Sequence, residues 1–157
     1  MIQGIAAATC RGTAVSRQLL SFSRRDSLRQ EIFDIDEALR ELEPMFRQLF
    51  SSTVTLRVEA GSGQSLHVRA DRGQFELVLL NIAANARDAM GDEGCFQVSA
   101  RLRERDAMEG VEVSLVDNGP GMSDAVLQRI FEPFFTTKPA GSGTGLGLAV
   151  EIGRAHV

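Results

Sequence analysis

The feature that most constrains this chain is an apolar helical stretch with amides along one face. Residues 74–90 are rich in Leu, Val, Ile and Ala, and Asp71 stands where it can open the helix. Asn81, Asn85 and Asp88 follow one another at spacings of four and three, so they share one face. Amides are costly to bury without polar partners, and their carbonyl oxygens are ligands that Mg²⁺ accepts alongside phosphates. The pattern predicts either a site for such a ligand or a polar face in contact with water.

The remaining hydrophobic patterns alternate between strand and helix. Period-two patterns predict strands near residues 32–35, 54–58, 66–70, 95–102 and 111–116. Helical spacing predicts helices near residues 1–29, 36–50, 124–130 and 144–157. Asp36 is placed to cap the second of these helices. Helices combined with mainly antiparallel strands predict an α+β fold, in which the two kinds of element form a sandwich.

The first 29 residues have the spacing of a helix–helix seam. Apolar or small side chains recur at steps of three and four at Ile5, Ala8, Gly12, Val15, Leu19 and Phe22. Two interpretations follow from the spacing alone. The helix either folds onto its own domain or forms half of a dimerisation hairpin.

Composition and charge exclude several classes of function. The 157 residues carry a net charge of −4, so they lack the basic surface on which nucleic-acid binding usually depends. No stretch approaches the roughly 20 apolar residues that span a bilayer. We therefore expect a cytoplasmic chain, although its parent could be membrane-anchored through another segment. Cys10 and Cys95 have no CxxC partner, which favours structural thiols over metal or redox chemistry.

A second cluster, DNGPGM at residues 117–122, directly follows a predicted strand. A carboxylate at a strand end, here Asp117, can accept a hydrogen bond from an exocyclic amine such as that of adenine. The same carboxylate would repel the carbonyl that guanine presents at that place. Gly119 and Gly121 let the backbone turn sharply and approach a ligand closely. The same residues also make a good turn, and that interpretation stays open.

Two further clusters lie near the end of the chain. Residues 131–138, FEPFFTTK, place three phenylalanines beside Lys138. They are either core residues or anchors of a mobile segment whose lysine meets a phosphate. Residues 141–148, GSGTGLGL, lead into a predicted helix, so exposed N–H groups and the helix start together favour an anion. The spacing fits neither a Walker loop nor the dinucleotide fingerprint.

The order of the four clusters resembles that of histidine kinases. Asn-xxx-Asn at 81–85, DNGPGM, FEPFFTTK and GSGTGLGL are similar to the N, G1, F and G2 boxes of that family, within the gyrase, Hsp90, histidine kinase and MutL superfamily. The resemblance covers about residues 31–157 and implies a two-layer α/β sandwich of the Bergerat type with a mixed, mainly antiparallel sheet. RQLLSFSRR at 17–25 is similar to the end of the second dimerisation helix. The resemblance thus implies a partial dimerisation helix at 1–30 and an ATP-binding catalytic domain at 31–157, whose C-terminal strands would lie beyond this chain.

The resemblance also implies roles for individual residues. Asn85 is similar to the Mg²⁺ ligand of the family and Asn81 to its support, while Asp117 resembles the carboxylate that reads adenine. Residues 122–143 resemble the ATP lid. At position 88 many family members carry lysine, whereas this chain carries Asp88. The ATP-binding residues implied are Asn81, Asn85, Asp88, Asp117, Gly119, Gly121, Met122, Phe131, Phe135, Thr137, Lys138, Gly143, Thr144, Gly145, Leu146, Gly147 and Leu148.

The activity implied is transfer of the γ-phosphoryl group of Mg·ATP to a histidine, for relay to the receiver domain of a response regulator. His67 and His156 do not fit the family's phosphoacceptor, so that histidine is expected outside this chain. The full-length protein is expected to be a homodimer through the N-terminal helix. Hydrolysing relatives carry glutamate where this chain has Asn81, and an amide cannot serve as a general base.

Three alternatives remain beside the kinase. The first is an ATP-hydrolysing relative, and the second is a catalytically silent module that binds nucleotide. The third is a serine kinase of the anti-sigma type, against which the N-terminal helix argues.

Overall fold

A computed structural model describes residues 29–60, 63, 66–105 and 108–138. They belong to two compact units, one formed by the described residues up to 123 and one that contains residues 124–138. The helices expected over 1–29 and from 144 onward lie outside the described residues. The elements are β1 (Gln30–Asp34), α1 (Ile35–Leu49), β2 (Val54–Glu59), β3 (His67–Asp71), α2 (Arg72–Met90), β4 (Gly94–Arg105), β5 (Met108–Asp117) and α3 (Asp124–Leu127).

The five described strands form two sheets. Strands β1 and β3 pair antiparallel, with Gln30 opposite Asp71 and Asp34 opposite His67. In the second sheet β4 lies between β2, to which it is parallel, and β5, to which it is antiparallel. The predicted α+β class with mixed, mainly antiparallel pairing is confirmed. Both strands of the β4–β5 hairpin are longer than their apolar patterns predict.

The core of the larger unit lies between the two helices and the sheets. Phe96 of β4 is fully buried, and its ring centroid lies 6.0 Å from that of Phe46 and 4.9 Å from that of Phe50. Helix α2 contributes Leu79 and Ala83 to the same cluster. Because the buried side chains alternate along β4, its other face carries the polar side chains. The result is the predicted two-layer arrangement.

The start of α1 differs from the prediction. Asp34, not Asp36, caps the helix: its Oδ1 accepts from the N–H of Glu37 at 3.0 Å, and Ile35 is the first helical residue rather than part of the strand. The physical reason is a long-range contact. Asp34 Oδ2 accepts from the N–H of Leu66 at 3.2 Å, and the N–H of Ile35 donates to the carbonyl of Leu66 at 2.9 Å.

Helix α2 begins as the sequence predicts. Asp71 caps it by accepting from the N–H of Gln74 at 2.9 Å, and Gly91 ends it with a φ of +74°. A positive φ suits glycine because it has no Cβ. Among the described residues no helix has the length and apolarity needed to cross a membrane.

Candidate functional site

The two sides of α2 have different roles. Leu79, Ala83 and Ala86 are buried and face the core. Asn81 and Asn85 come two residues after the first two of these, a rotation of about 200° around the helix, so they project from the opposite side. Both asparagines are half-buried. The amide face is therefore separate from the core and is not a fully solvated surface.

Asp88 lies one turn beyond Asn85 and is exposed. Its Oδ1 accepts from Nε of Arg87 at 2.9 Å and from Nη2 of the same guanidinium at 2.6 Å. Both nitrogens donate to the same carboxylate oxygen, and this ion pair offsets the negative charge of Asp88. A phosphate near this turn would thus meet a paired arginine and aspartate, instead of the lysine that many family members carry.

The carboxylate of Asp117 is held at the end of β5. Asp117 is opposite Phe96 in the last pair of the β4–β5 ladder, and its Oδ1 accepts from the N–H of Gly119 at 2.8 Å. Within the described residues Oδ2 has no hydrogen-bond or ion-pair partner. The side chain is exposed. One carboxylate oxygen therefore orients the group and the other is available to accept from a ligand.

The turn after β5 lies against the end of α2. A Cβ at Gly119 would be 2.8 Å from Asp117 Oδ1 and 3.3 Å from Cβ of Ala89. Only glycine lets the backbone at position 119 come so close to Ala89. Ala89 lies one turn beyond Asn85 on the same helix. The structure thus brings two clusters together that are separated in sequence, the amide face and the DNGPGM turn. Gly121 has a φ of +75°, the second position of this turn that favours glycine.

Asn118 is a residue of this turn that the sequence analysis did not assign to the site. Its Oδ1 accepts from the N–H of Cys95, at the start of β4, at 2.8 Å. A Cβ at Gly94 would lie 2.7 Å from that oxygen and 2.7 Å from Sδ of Met90. The available signal was an asparagine directly after a strand, a position at which a side-chain oxygen replaces a backbone partner.

Met122 closes the turn and is 53% exposed. Among the described residues no group of three or more His, Cys, Asp or Glu side chains is placed to hold a metal ion. A surface cavity of about 220 Å³ is lined by residues of the α1–β2 region and shares no residue with the site. Its lining residues are Arg47, Phe50, Ser51, Ser52, Val54 and Leu56.

The unit that contains residues 124–138 carries the FEPFFTTK cluster. Phe131 and Phe134 are 48% and 70% exposed, so neither is a core residue. Phe134 also has a φ of +68°, which a bulky residue rarely adopts. Phe135 is half-buried, with the guanidinium carbon of Arg129 4.3 Å from its ring centroid.

The last described residues form a short polar segment. The backbone N–H of Lys138 donates to Oγ1 of Thr136 at 3.1 Å, and Thr137 is exposed. The predicted phosphate-binding residues of the glycine-rich cluster lie outside the described residues. They are Gly143, Thr144, Gly145, Leu146, Gly147 and Leu148.

The arrangement is that of a nucleotide-binding ATPase domain. Residues 70–151, which are 82 of the 157, match the family of histidine kinase-, DNA gyrase B-, and HSP90-like ATPases. This chain belongs to that family.

Within the family, the relatives are sensor kinases. The chain is 41% identical over 154 residues to the sensor kinase CckA of Brucella abortus (strain 2308), covering 91% of this chain and 16% of that protein. Full-length ShkA, solved in complex with AMPPNP, has a TM-score of 0.66 at 27% identity, with 88% of this chain and 29% of that one covered. The histidine kinase ThkA, solved with the response regulator protein TrrA, has a TM-score of 0.60 at 26% identity, covering 85% and 39%. The chain spans about a sixth of the length of CckA.

Proposed function

We propose that this chain is the ATP-binding catalytic part of a two-component sensor histidine kinase. It transfers the γ-phosphoryl group of ATP to a histidine outside residues 1–157, for relay to an aspartate of a response regulator. The observation that carries the proposal is the contact between the DNGPGM turn and the end of the amide-bearing helix. A base-reading carboxylate and metal-binding amides must lie on neighbouring elements if one nucleotide is to reach both.

Asp117 is the group that selects adenine. The N–H of Gly119 orients one carboxylate oxygen, and the other accepts from the exocyclic amine of the base. Gly119, Gly121 and Met122 line the base pocket. The close packing at Gly119 supports the role of this turn. A side chain at position 119 would lie too close to Asp117 Oδ1 and to Cβ of Ala89, so only glycine lets the turn hold the carboxylate as it does.

Asn85 and Asn81 are the residues that bind and support Mg²⁺. They fit a hard cation because their neutral amide oxygens stand on a half-buried face away from the core. When bound, the metal neutralises charge on the phosphates and orients them for transfer. Asn85 supplies a ligand oxygen, and Asn81 holds it in place from the preceding turn. Asp88, paired with Arg87, lies at the phosphate end of the same face.

The later clusters complete the binding of the triphosphate. We assign the lid to residues 122–143, with Phe131 and Phe135 as its apolar anchors and Thr137 and Lys138 near the phosphates. Gly143, Thr144, Gly145, Leu146, Gly147 and Leu148 contact the phosphates. Exposed backbone N–H groups at the start of a helix have the charge that this role requires.

Phosphoryl transfer is favoured over hydrolysis by the residue at position 81. An amide cannot take a proton from an attacking water near neutral pH, so Asn81 provides no general base. Residues 1–30 serve as part of the dimerisation helix of a homodimer and residues 31–157 as the catalytic domain. The ThkA–TrrA complex supports a response regulator as the partner.

Calorimetry of the 157-residue chain with Mg·ATP and Mg·GTP tests the nucleotide site. We expect ATP to bind at least about tenfold more tightly, because GTP leaves the Asp117 carboxylate facing a carbonyl. The full-length protein should then form acid-labile phosphohistidine. Steady phosphate release without phosphohistidine would favour an ATP-hydrolysing relative, and ATP binding with neither product would favour a silent regulatory module.

A further inference from the structure

Two aspartates occupy equivalent positions at opposite ends of the β1–β3 ladder. Asp34 ends β1, and its two oxygens accept from the N–H groups of Glu37, at 3.0 Å, and Leu66, at 3.2 Å. Asp71 ends β3, and its oxygens accept from the N–H groups of Gln74, at 2.9 Å, and Arg29, at 3.0 Å. Each carboxylate thus caps the next helix and also holds the residue that precedes the partner strand.

The two carboxylates connect different parts of the molecule. Asp34 ties α1 to residue 66, just before β3. Asp71 ties α2 to Arg29, the residue through which positions 1–28 join this unit along the chain. Helix α2 also carries Asn81 and Asn85. Asp71 therefore links Arg29, the first described residue of this unit, to the helix of the candidate metal site by direct hydrogen bonds.

The first turn of α2 is held firmly to its neighbours. Arg72 donates from Nε to Glu76 at 3.0 Å and from Nη2 to Glu41 of α1 at 2.6 Å. Its guanidinium carbon also lies 5.8 Å from the ring centroid of Phe33 in β1. Through Arg72 the first turn of α2 is tied to α1 and β1, so a displacement of this turn is shared with those two elements.

Asn81 and Asn85 lie on the same helix that Asp71 caps, so a displacement of its first turn can reach them. Asn81 follows Asp71 by ten residues, about 15 Å along a helix. Helix α2 contains no proline, and Leu79 and Ala83 pack its middle into the core. A shift of its first turn therefore moves the whole helix rather than bending it.

We propose that Asp71 is a positioning residue that couples the backbone at Arg29 to the placement of Asn81 and Asn85. The inference rests on the proposed function, since it treats these amides as the metal-binding groups. A pull on Arg29 displaces one oxygen of the carboxylate whose other oxygen caps α2. The carboxylate passes that displacement to the helix.

The variant Asp71→Asn tests the link without removing the cap. Asparagine caps helices as well as aspartate does, but its NH₂ group cannot accept from the N–H of Arg29. We expect the Arg29 amide to exchange with solvent about 2- to 10-fold faster, while the Gln74 amide stays protected. The side-chain NH₂ resonances of Asn81 and Asn85 should shift, and the Kd for Mg·AMPPNP should rise severalfold.

Asp34→Asn is the matched control, because it makes the same chemical change at the equivalent position. It should speed exchange at Leu66 and leave the Asn81 and Asn85 resonances and the nucleotide Kd unchanged. Arg29→Pro removes the donor instead of the acceptor. The effects of Arg29→Pro and Asp71→Asn on Kd should not be additive, because both variants break the same hydrogen bond, that from the N–H of Arg29 to Asp71.

Equal changes in Kd and in the amide resonances for Asp34→Asn and Asp71→Asn would overturn the proposal, as would additive effects of Asp71→Asn and Arg29→Pro. If the unaltered chain binds no nucleotide, the proposed function fails. The exchange rates and the resonances of the two asparagines would still decide the coupling, because neither measurement requires nucleotide.

Discussion

The side-chain oxygen of Asn118 accepts a hydrogen bond from the backbone N–H of Cys95 at 2.8 Å. The β4–β5 ladder ends one residue earlier on β5, at Phe96 and Asp117. The side-chain oxygen of Asn118 thus replaces a backbone acceptor just beyond the last residue pair of the ladder. It attaches the turn that follows Asp117 to the start of the neighbouring strand, beside the residue that carries the carboxylate.

Replacing Asn118 with alanine should weaken both the fold and the site. The loss of one hydrogen bond at an exposed position should lower the free energy of unfolding by at most about 1 kcal/mol. Nucleotide affinity should fall as well, because the turn that orients Asp117 is released. Urea denaturation and calorimetry measure the two effects. An unchanged affinity would show that other contacts hold the turn.

Gly94→Ala approaches the same contact from the other side. The added methyl would lie 2.7 Å from Asn118 Oδ1 and 2.7 Å from Met90 Sδ, so one or both must move. We expect a loss of stability of about 1–3 kcal/mol, typical of overpacking. In an Asn118→Ala background the loss should be smaller, because one of the two obstructing atoms is gone. The same loss in both backgrounds would assign the strain to Met90 or to the backbone.

Asp117→Asn should weaken ATP binding by about 1–3 kcal/mol, because it replaces an acceptor with a donor facing the adenine amine. Calorimetry with Mg·ATP measures the change. Asp92→Asn removes the same charge from the exposed turn after α2 and serves as the control. If the two variants bind ATP equally well, Asp117 does not read the base.

Asn85→Ala should lower nucleotide affinity only when Mg²⁺ is present. Loss of a ligand oxygen should weaken metal binding by at least about tenfold. Titrations with ATP in magnesium and in EDTA separate the metal-dependent part from the rest. Asn81→Ala should show a smaller effect of the same kind. A loss of equal size in EDTA would mean that Asn85 contacts the nucleotide itself or only supports the helix.

The stability of the larger unit should depend on pH through Asp34. The N–H of Glu37, followed by that of Leu66, holds the pKa of the Asp34 carboxyl below its ordinary value of 3.8. A carboxyl with a lowered folded-state pKa contributes stability that is present above the unfolded value and is lost as pH falls through the folded one. The difference in unfolding free energy between the unaltered chain and Asp34→Asn should be constant from pH 7 to about pH 5 and shrink below 3.8. Urea denaturation across this pH range measures the difference in unfolding free energy. If NMR showed the Asp34 carboxyl titrating above 3.8, the two N–H groups could not be lowering its pKa.

Local sequence patterns were sufficient to predict most of the helices and strands. The cap at Asp71, the core side of α2 and the alternation of β2 are properties of short segments, because spacing and capping act over a few residues. The start of α1 was not predictable in this way. FDID contains two aspartates that can cap, and the contact of Asp34 and Ile35 with Leu66, more than 30 residues away, decided between them.

For this protein, the sequence by itself determined which residues have the chemistry of a nucleotide site: two amides one turn apart on a helix, a carboxylate after a strand, and glycines where the backbone must approach a ligand. Only the tertiary structure decided that the DNGPGM turn packs on the end of α2, that Asn118 secures that turn to Cys95, and that Asp71 joins Arg29 to the amide-bearing helix. The physical reason is the range of the interactions. Side-chain type and helical spacing are local, whereas strand pairing and close packing bring together residues that the sequence places 23 and 42 positions apart.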